Sequence, residues 1–103
     1  MLYFVTGTLM DKSQLSGPRS ALSELIQKVA IPSINQLVEL QNAGRILGGG
    51  FRASSADIVM VIDAPGDSHL AARNVLSEIP MFGHYTWEVI PLESFREWQE
   101  YLR

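Results

Sequence analysis

Two histidines, eleven carboxylates and eight lysines or arginines make up most of the ionisable chemistry in this chain, and there is no cysteine. Disulfides, thiolate nucleophiles and zinc–thiolate sites are therefore excluded. The group best placed for chemistry is His84. It follows the apolar corner Ile79-Pro80-Met81-Phe82-Gly83 and opens a segment that alternates as a strand does. Tyr85, Trp87 and Val89 point one way, and His84, Thr86, Glu88 and Ile90 the other. An unperturbed imidazole titrates near neutrality, so His84 can act as general acid or base without large tuning. Glu88 stands four residues further along the same expected face, about 13 Å away at strand spacing. The two would flank a substrate rather than bond to each other. A carboxylate partly buried there has a raised pKa and can move a proton. The plainer readings are a strand-end histidine bonded at a subunit seam and a glutamate paired with Arg45 or Arg52.

Three further side chains fit a substrate-holding role. Arg52 stands where a glycine-rich strand ends, and a guanidinium there could grip a carboxylate with two hydrogen bonds. Tyr3 and Tyr85 could donate to a developing enolate oxygen, although buried tyrosines also simply pack. His69, in the first turn of a helix, reads as solvated surface. Gly48-Gly49-Gly50 lacks the Gly-Lys-Ser/Thr ending of a phosphate loop, so it reads as a bulge or a thinned pocket wall. No metal site is expected.

The elements that must position these groups follow from the apolar spacing. Leu2 to Leu9 alternates as a first strand. Leu22, Leu25, Ile26 and Val29, then Ile34, Leu37, Val38 and Leu40, recur at helical spacing, from Pro18 in a first turn to Gly44 just past the end. Pro32 lacks an amide donor and crowds the carbonyl four residues back, which predicts a kink or a split into two helices. Arg45–Phe51 and Ala56–Asp63 read as strands, the latter apolar enough to be covered on both faces. Asp67 or Ser68 caps a helix to about Glu78. Ser94 and Glu97 form a capping box that opens a last helix with Phe95, Trp98 and Leu102 on one face.

The order β-α-β-β-α-β plus a C-terminal helix is the ferredoxin-like α+β arrangement, a four-stranded antiparallel sheet with its helices on one face. A chain of 103 residues is one domain, residues 1–103, and 47% hydrophobic residues suffice for a core. The third strand offers either Ile58, Met60 and Ile62 or Val59 and Val61 to whatever covers the second face. A second copy stacked face to face is the simplest cover, so a homodimer is expected. With a net charge of −3 and scattered cations, neither nucleic acid nor an anionic membrane is an expected partner. Met1 to Leu9 has no basic leader, and no segment reaches a membrane-spanning length, so a cytoplasmic location is expected.

The chain resembles the dimeric α+β barrel superfamily and, within it, the muconolactone isomerase family. The residues carrying this are Leu40-Gln41-Asn42-Ala43-Gly44 at a helix exit, Val61-Ile62-Asp63 at a strand end, and Ile79-Pro80-Met81-Phe82 followed by Glu88-Val89 and Leu92. The resemblance implies an enzyme that moves a proton on a small cyclic or lactone-like metabolite without metal or organic cofactor, assembled from dimers. Aromatic catabolism or secondary metabolism would supply such a substrate. The family's first helix carries an acidic and basic cluster facing the pocket. Counting back from Gly44, those positions here are Pro32, Ser33, Ile34 and Asn35, so the substrate implied is not muconolactone itself. A non-catalytic ligand-binding or assembly subunit, and a monooxygenase of the same superfamily, are the other readings.

Overall fold

The computed structural model describes residues 1–11, 23–53, 55–65 and 69–103. Among these, β1 (Leu2–Leu9), β2 (Ile46–Phe51), β3 (Ile58–Asp63) and β4 (Tyr85–Leu92) form one antiparallel sheet in the order β2-β3-β1-β4. Helices α1 (Ile31–Asn42) and α2 (His69–Ser77) follow β1 and β3, and α3 (Phe95–Tyr101) follows β4. This is the ferredoxin-like α+β order, with β1 and β3 at the centre and β2 and β4 on the edges. Pro91 lies on the edge strand β4, where a missing amide donor need not break a ladder.

Parity along the strands separates two faces. Tyr3, Val5 and Leu9 of β1, Ile58, Met60 and Ile62 of β3, and Tyr85 and Trp87 of β4 are buried together with Leu76 and Ile79. The opposite face carries Leu2, Phe4 and Thr6, then Val59 and Val61, then Thr86, Glu88 and Ile90. The strand β3 is thus split between the two faces: its Ile–Met–Ile row is buried and its two valines are only half-buried. Layer spacing is set at Gly7, where a Cβ would lie 2.7 Å from the Trp87 ring and 2.6 Å from Ile58 Cγ2. A side chain at that position would push the indole off the sheet.

The first helix neither breaks nor splits at Pro32. Helix extends through residues 23–25 into a wide π-type turn, Ile26–Ala30, and then into α1. Ile31 donates its amide to the Ile26 carbonyl, five residues back, with α-region dihedrals at Ala30 and Ile31. The wide turn loosens the ladder just where the proline ring would crowd a carbonyl, so Pro32 sits in the first turn of a new hydrogen-bonding register. At the far end Gly44 has φ +78°, while Arg45 N–H bonds Leu40 C=O at 2.9 Å and Gly44 N–H bonds Gln41 C=O at 3.1 Å. That paired arrangement stops the helix. Pro18 at the expected helix start, and Asp67 and Ser68 at the expected cap of α2, lie outside the described residues, as does the His69 side chain.

β3 begins two residues later than expected, while β2 carries the irregularity that its glycines imply. Ala56 and Asp57 belong to the turn before β3, with Ala56 at φ +59°. In β2 the register slips between Ile46 and Gly48, and Gly49 takes φ +150°. A Cβ on Gly49 would sit 2.4 Å from the Val59 carbonyl oxygen, so glycine is required there for β2 to lie this close to β3. Ser94 caps α3, accepting from the Glu97 amide at 3.1 Å as the sequence signature implies. Its aromatic face is open: Phe95 is 97% exposed, Tyr101 84% and Leu102 77%.

Candidate functional site

A cavity of about 260 Å³ lies between the sheet and the first helix, at the end of the sheet where β1 and β2 finish and β4 begins. The sheet side contributes Leu9, Phe51 and Tyr85, and the helix side Leu25, Val29 and Ile34. Met81 and His84 come from the short 3₁₀ turn Pro80–His84. Among the described residues that line it, only His84 and Tyr85 bring polar side chains, and none is a lysine or arginine.

The turn that delivers His84 is fixed from two sides. Ser33, fully buried in the first turn of α1, accepts a hydrogen bond from the Met81 amide at 2.9 Å. The Phe82 carbonyl accepts from the Trp87 indole at 2.9 Å, and the Phe82 and Trp87 rings stack with centroids 6.0 Å apart. A buried amide with its partner, plus an indole filling the layer, leaves the turn little freedom. The His84 carbonyl also accepts from Met10 N–H at 3.1 Å, so the backbone at this residue prolongs the β1–β4 pairing.

Tyr85 is held just as firmly. Its hydroxyl donates to the Ala56 carbonyl at 2.8 Å. Ala56 keeps its left-handed backbone because the neighbouring turn is tied down. Asp57 accepts from Leu9 N–H at 3.1 Å through one carboxylate oxygen, and from the Ser55 hydroxyl at 3.0 Å through the other. Arg52 closes the same loop through its main chain, donating to Asp57 C=O at 2.7 Å and accepting from the Ser55 and Ala56 amides. Burial, and then the negative charge of Asp57, push the Tyr85 hydroxyl above its ordinary value of 10.0. It therefore stays a phenol and a hydrogen-bond donor across the neutral range.

The sequence-expected residues divide. His84 and Tyr85 meet at the cavity, but His84 ends the 3₁₀ turn rather than sharing a strand face with Glu88. Glu88 is exposed on the opposite face, opposite Thr6 of β1. The face that carries the cavity is thus that of Tyr85 and Trp87. Tyr3 is completely buried at the other end of β1, about 20 Å from Leu9 at strand spacing, with its hydroxyl on the Met1 sulfur. The Arg52 side chain is exposed and outside the cavity lining, although Phe51 next to it is part of that lining. Sequence reasoning missed Ser33, Ala56 and Asp57. The polar pair Ser55 and Asp57 just ahead of an apolar run was the one available signal, since such side chains bond backbone in turns.

Among the described residues no group of three or more His, Asp or Glu side chains is arranged to hold a metal ion, and no helix is long and apolar enough to cross a membrane. The sheet order and the two crossover helices define a ferredoxin-like α+β protein. Its fold is that of muconolactone isomerase: a crystal structure of that enzyme superposes with a TM-score of 0.53 at 22% identity, over 91% of this chain and 90% of the other. No protein-family profile and no curated protein sequence matches the chain.

Proposed function

We propose that the chain is a cofactor-independent enzyme that shifts a proton on a small, mostly apolar cyclic metabolite carrying a carbonyl oxygen, and that it works as a cytoplasmic homodimer. The observation that carries this is the convergence of one imidazole and one fixed phenol on a cavity whose other described lining residues are apolar. In the proposed cycle His84 takes a proton from the carbon next to the carbonyl, and the imidazolium returns it to another carbon of the same molecule. Tyr85 turns its O–H from the Ala56 carbonyl to the oxygen that gains charge. An apolar cavity of about 150 Å³ holds benzene, so about 260 Å³ suits a compact ring system of roughly ten to twelve heavy atoms. Where muconolactone isomerases resemble this chain but carry a charged cluster, it has Ser33 as a tether and Ile34 as apolar wall. The substrate proposed is accordingly less polar than a carboxylated lactone. Glu88, Arg52 and Tyr3, the other sequence candidates, have no part in this cavity, and the proposal rests on His84 and Tyr85.

The half-buried valines of β3 with Phe4 and Ile90 supply the face for the proposed dimer. A second reading, a non-catalytic carrier of the same small molecule, is favoured by the scarcity of polar groups in the lining. A metabolite screen by thermal shift, followed by proton exchange of each hit in deuterated water, separates the two. Exchange that disappears in His84→Ala supports the enzyme. A hit that binds without exchanging leaves the carrier, and full exchange in His84→Ala removes the histidine from the mechanism.

A further inference from the structure

The space between α1 and the sheet does not end at the candidate cavity. A groove of about 140 Å³ continues it along α1 toward the β2 edge, with Leu37 and Val38 on the helix side and Met60 of β3 on the sheet side. Ile34 and Phe51 border both spaces. Each of the two is more than 40% exposed, so its rotamer can turn without disturbing the core. Cavity and groove are thus parted by two movable side chains.

Strand β2 makes the groove by what it lacks. Ile46, Gly49 and Phe51 pair with Ile62, Met60 and Ile58, whose side chains belong to the core under α1. Paired residues share a face, so these three form the row that β2 turns to the helix. The register slip after Ile46 brings a glycine into the middle of that row. The strand therefore leaves a gap between Ile46 and Phe51, and the glycine that lets β2 lie close to β3 also leaves this channel unfilled.

We infer that the groove is a subsite of the cavity and takes an unbranched, uncharged alkyl chain carried by the ring compound. The substrate class is then an alkyl-substituted cyclic or aryl carbonyl compound rather than a bare ring. None of the groove's described lining residues is charged, which disfavours an ionised chain end. Gln41 marks the far end, seven residues past Ile34 and about 10 Å along the helix. On the scale by which about 150 Å³ holds benzene, about 140 Å³ takes roughly six carbon atoms. The inference deepens the cavity reading above and rests on it, but not on the proton transfer.

Phenyl ketones supply the probe, because the ring suits the cavity and the acyl chain can be lengthened step by step. Across acetophenone, butyrophenone, hexanophenone and octanophenone, calorimetry is expected to show binding tightening by about twofold to fourfold for each added methylene. Val38→Trp, changed at an exposed position outside the cavity lining, is expected to abolish the gain beyond butyrophenone and to leave acetophenone binding unaltered. Val38→Glu, which sets a carboxylate beside the chain, is expected to do the same. Long and short ketones that bind equally, or long ketones that keep their advantage in both variants, overturn the subsite and leave the cavity reading standing. A series in which no ketone binds overturns both. Deuterium uptake at the carbon next to the carbonyl reports proton transfer separately: tightening with chain length but without uptake upholds the subsite and assigns it to the carrier.

Discussion

Replacing Ser33 with alanine tests the link between the first helix and the turn that presents His84. The hydroxyl is fully buried and accepts the Met81 amide at 2.9 Å. Alanine keeps the volume within one atom, so the loss is chiefly an amide left without a partner, which costs about 1–3 kcal/mol. For a chain of this size each kcal/mol moves the melting temperature by about 4–8 °C, so a fall of roughly 5–20 °C is expected. Ser77→Ala serves as the control. Its hydroxyl bonds the Asn74 carbonyl at 2.9 Å on an exposed helix end, and its loss should stay within about 0.5 kcal/mol. Urea denaturation of the two variants supplies both numbers, and the His84 ring resonances report whether the turn has shifted. Equal destabilisation by Ser33→Ala and Ser77→Ala, with the His84 signals unmoved, would refute the tether.

Gly7→Ala places a methyl group against Trp87 and Ile58 at under 3 Å, and should destabilise by about 1–3 kcal/mol in chemical denaturation. Tyr85 gives a pH signature. Its raised value means the folded state holds the phenolic proton more tightly than the unfolded chain. Its stabilisation is complete below the unfolded value of 10.0 and is lost as pH rises through the folded one. The wild type should therefore lose melting temperature faster than Tyr85→Phe above about pH 10; equal slopes would contradict the burial. Asp57→Ala removes two hydrogen bonds that steady the turn around left-handed Ala56. It should cost about 1–3 kcal/mol and weaken any cavity ligand, measured by calorimetry.

Much of the fold was legible because parity and end signals are local. The alternation of Tyr85, Trp87 and Val89, the glycine at residue 44 and the Ser94 cap each follow from backbone geometry that a few residues determine. Tyr85 opens β4 as the alternation implies, but parity set it opposite His84; the two converge because His84 ends the 3₁₀ turn instead of joining the strand. The placement of Glu88 did not follow, because alternation separates two faces without saying which one the helices cover. Ala56 and Asp57 continue an apolar run and so read as strand. Their turn is imposed by contacts to Leu9 and Tyr85, which are remote in sequence. The open aromatic face of α3 is invisible to spacing altogether, since spacing gives a stripe and not its cover.

The wide turn at Ile26–Ala30 also works as a phase adjuster. In an unbroken α-helix Leu25 and Ile34, nine residues apart, lie two and a half turns from each other and face opposite ways. Here both line one cavity, together with Val29 and Ala30. The looser winding retards the rotation by about a quarter turn, enough to swing the upstream residues round to the side held by Ile34. The turn does the work of one residue fewer: eight residues of regular helix would bring Leu25 to the same angle, about 80° from Ile34. Winding the same nine residues as regular helix is what would rotate Leu25 away, and it would open the cavity with every lining side chain still present.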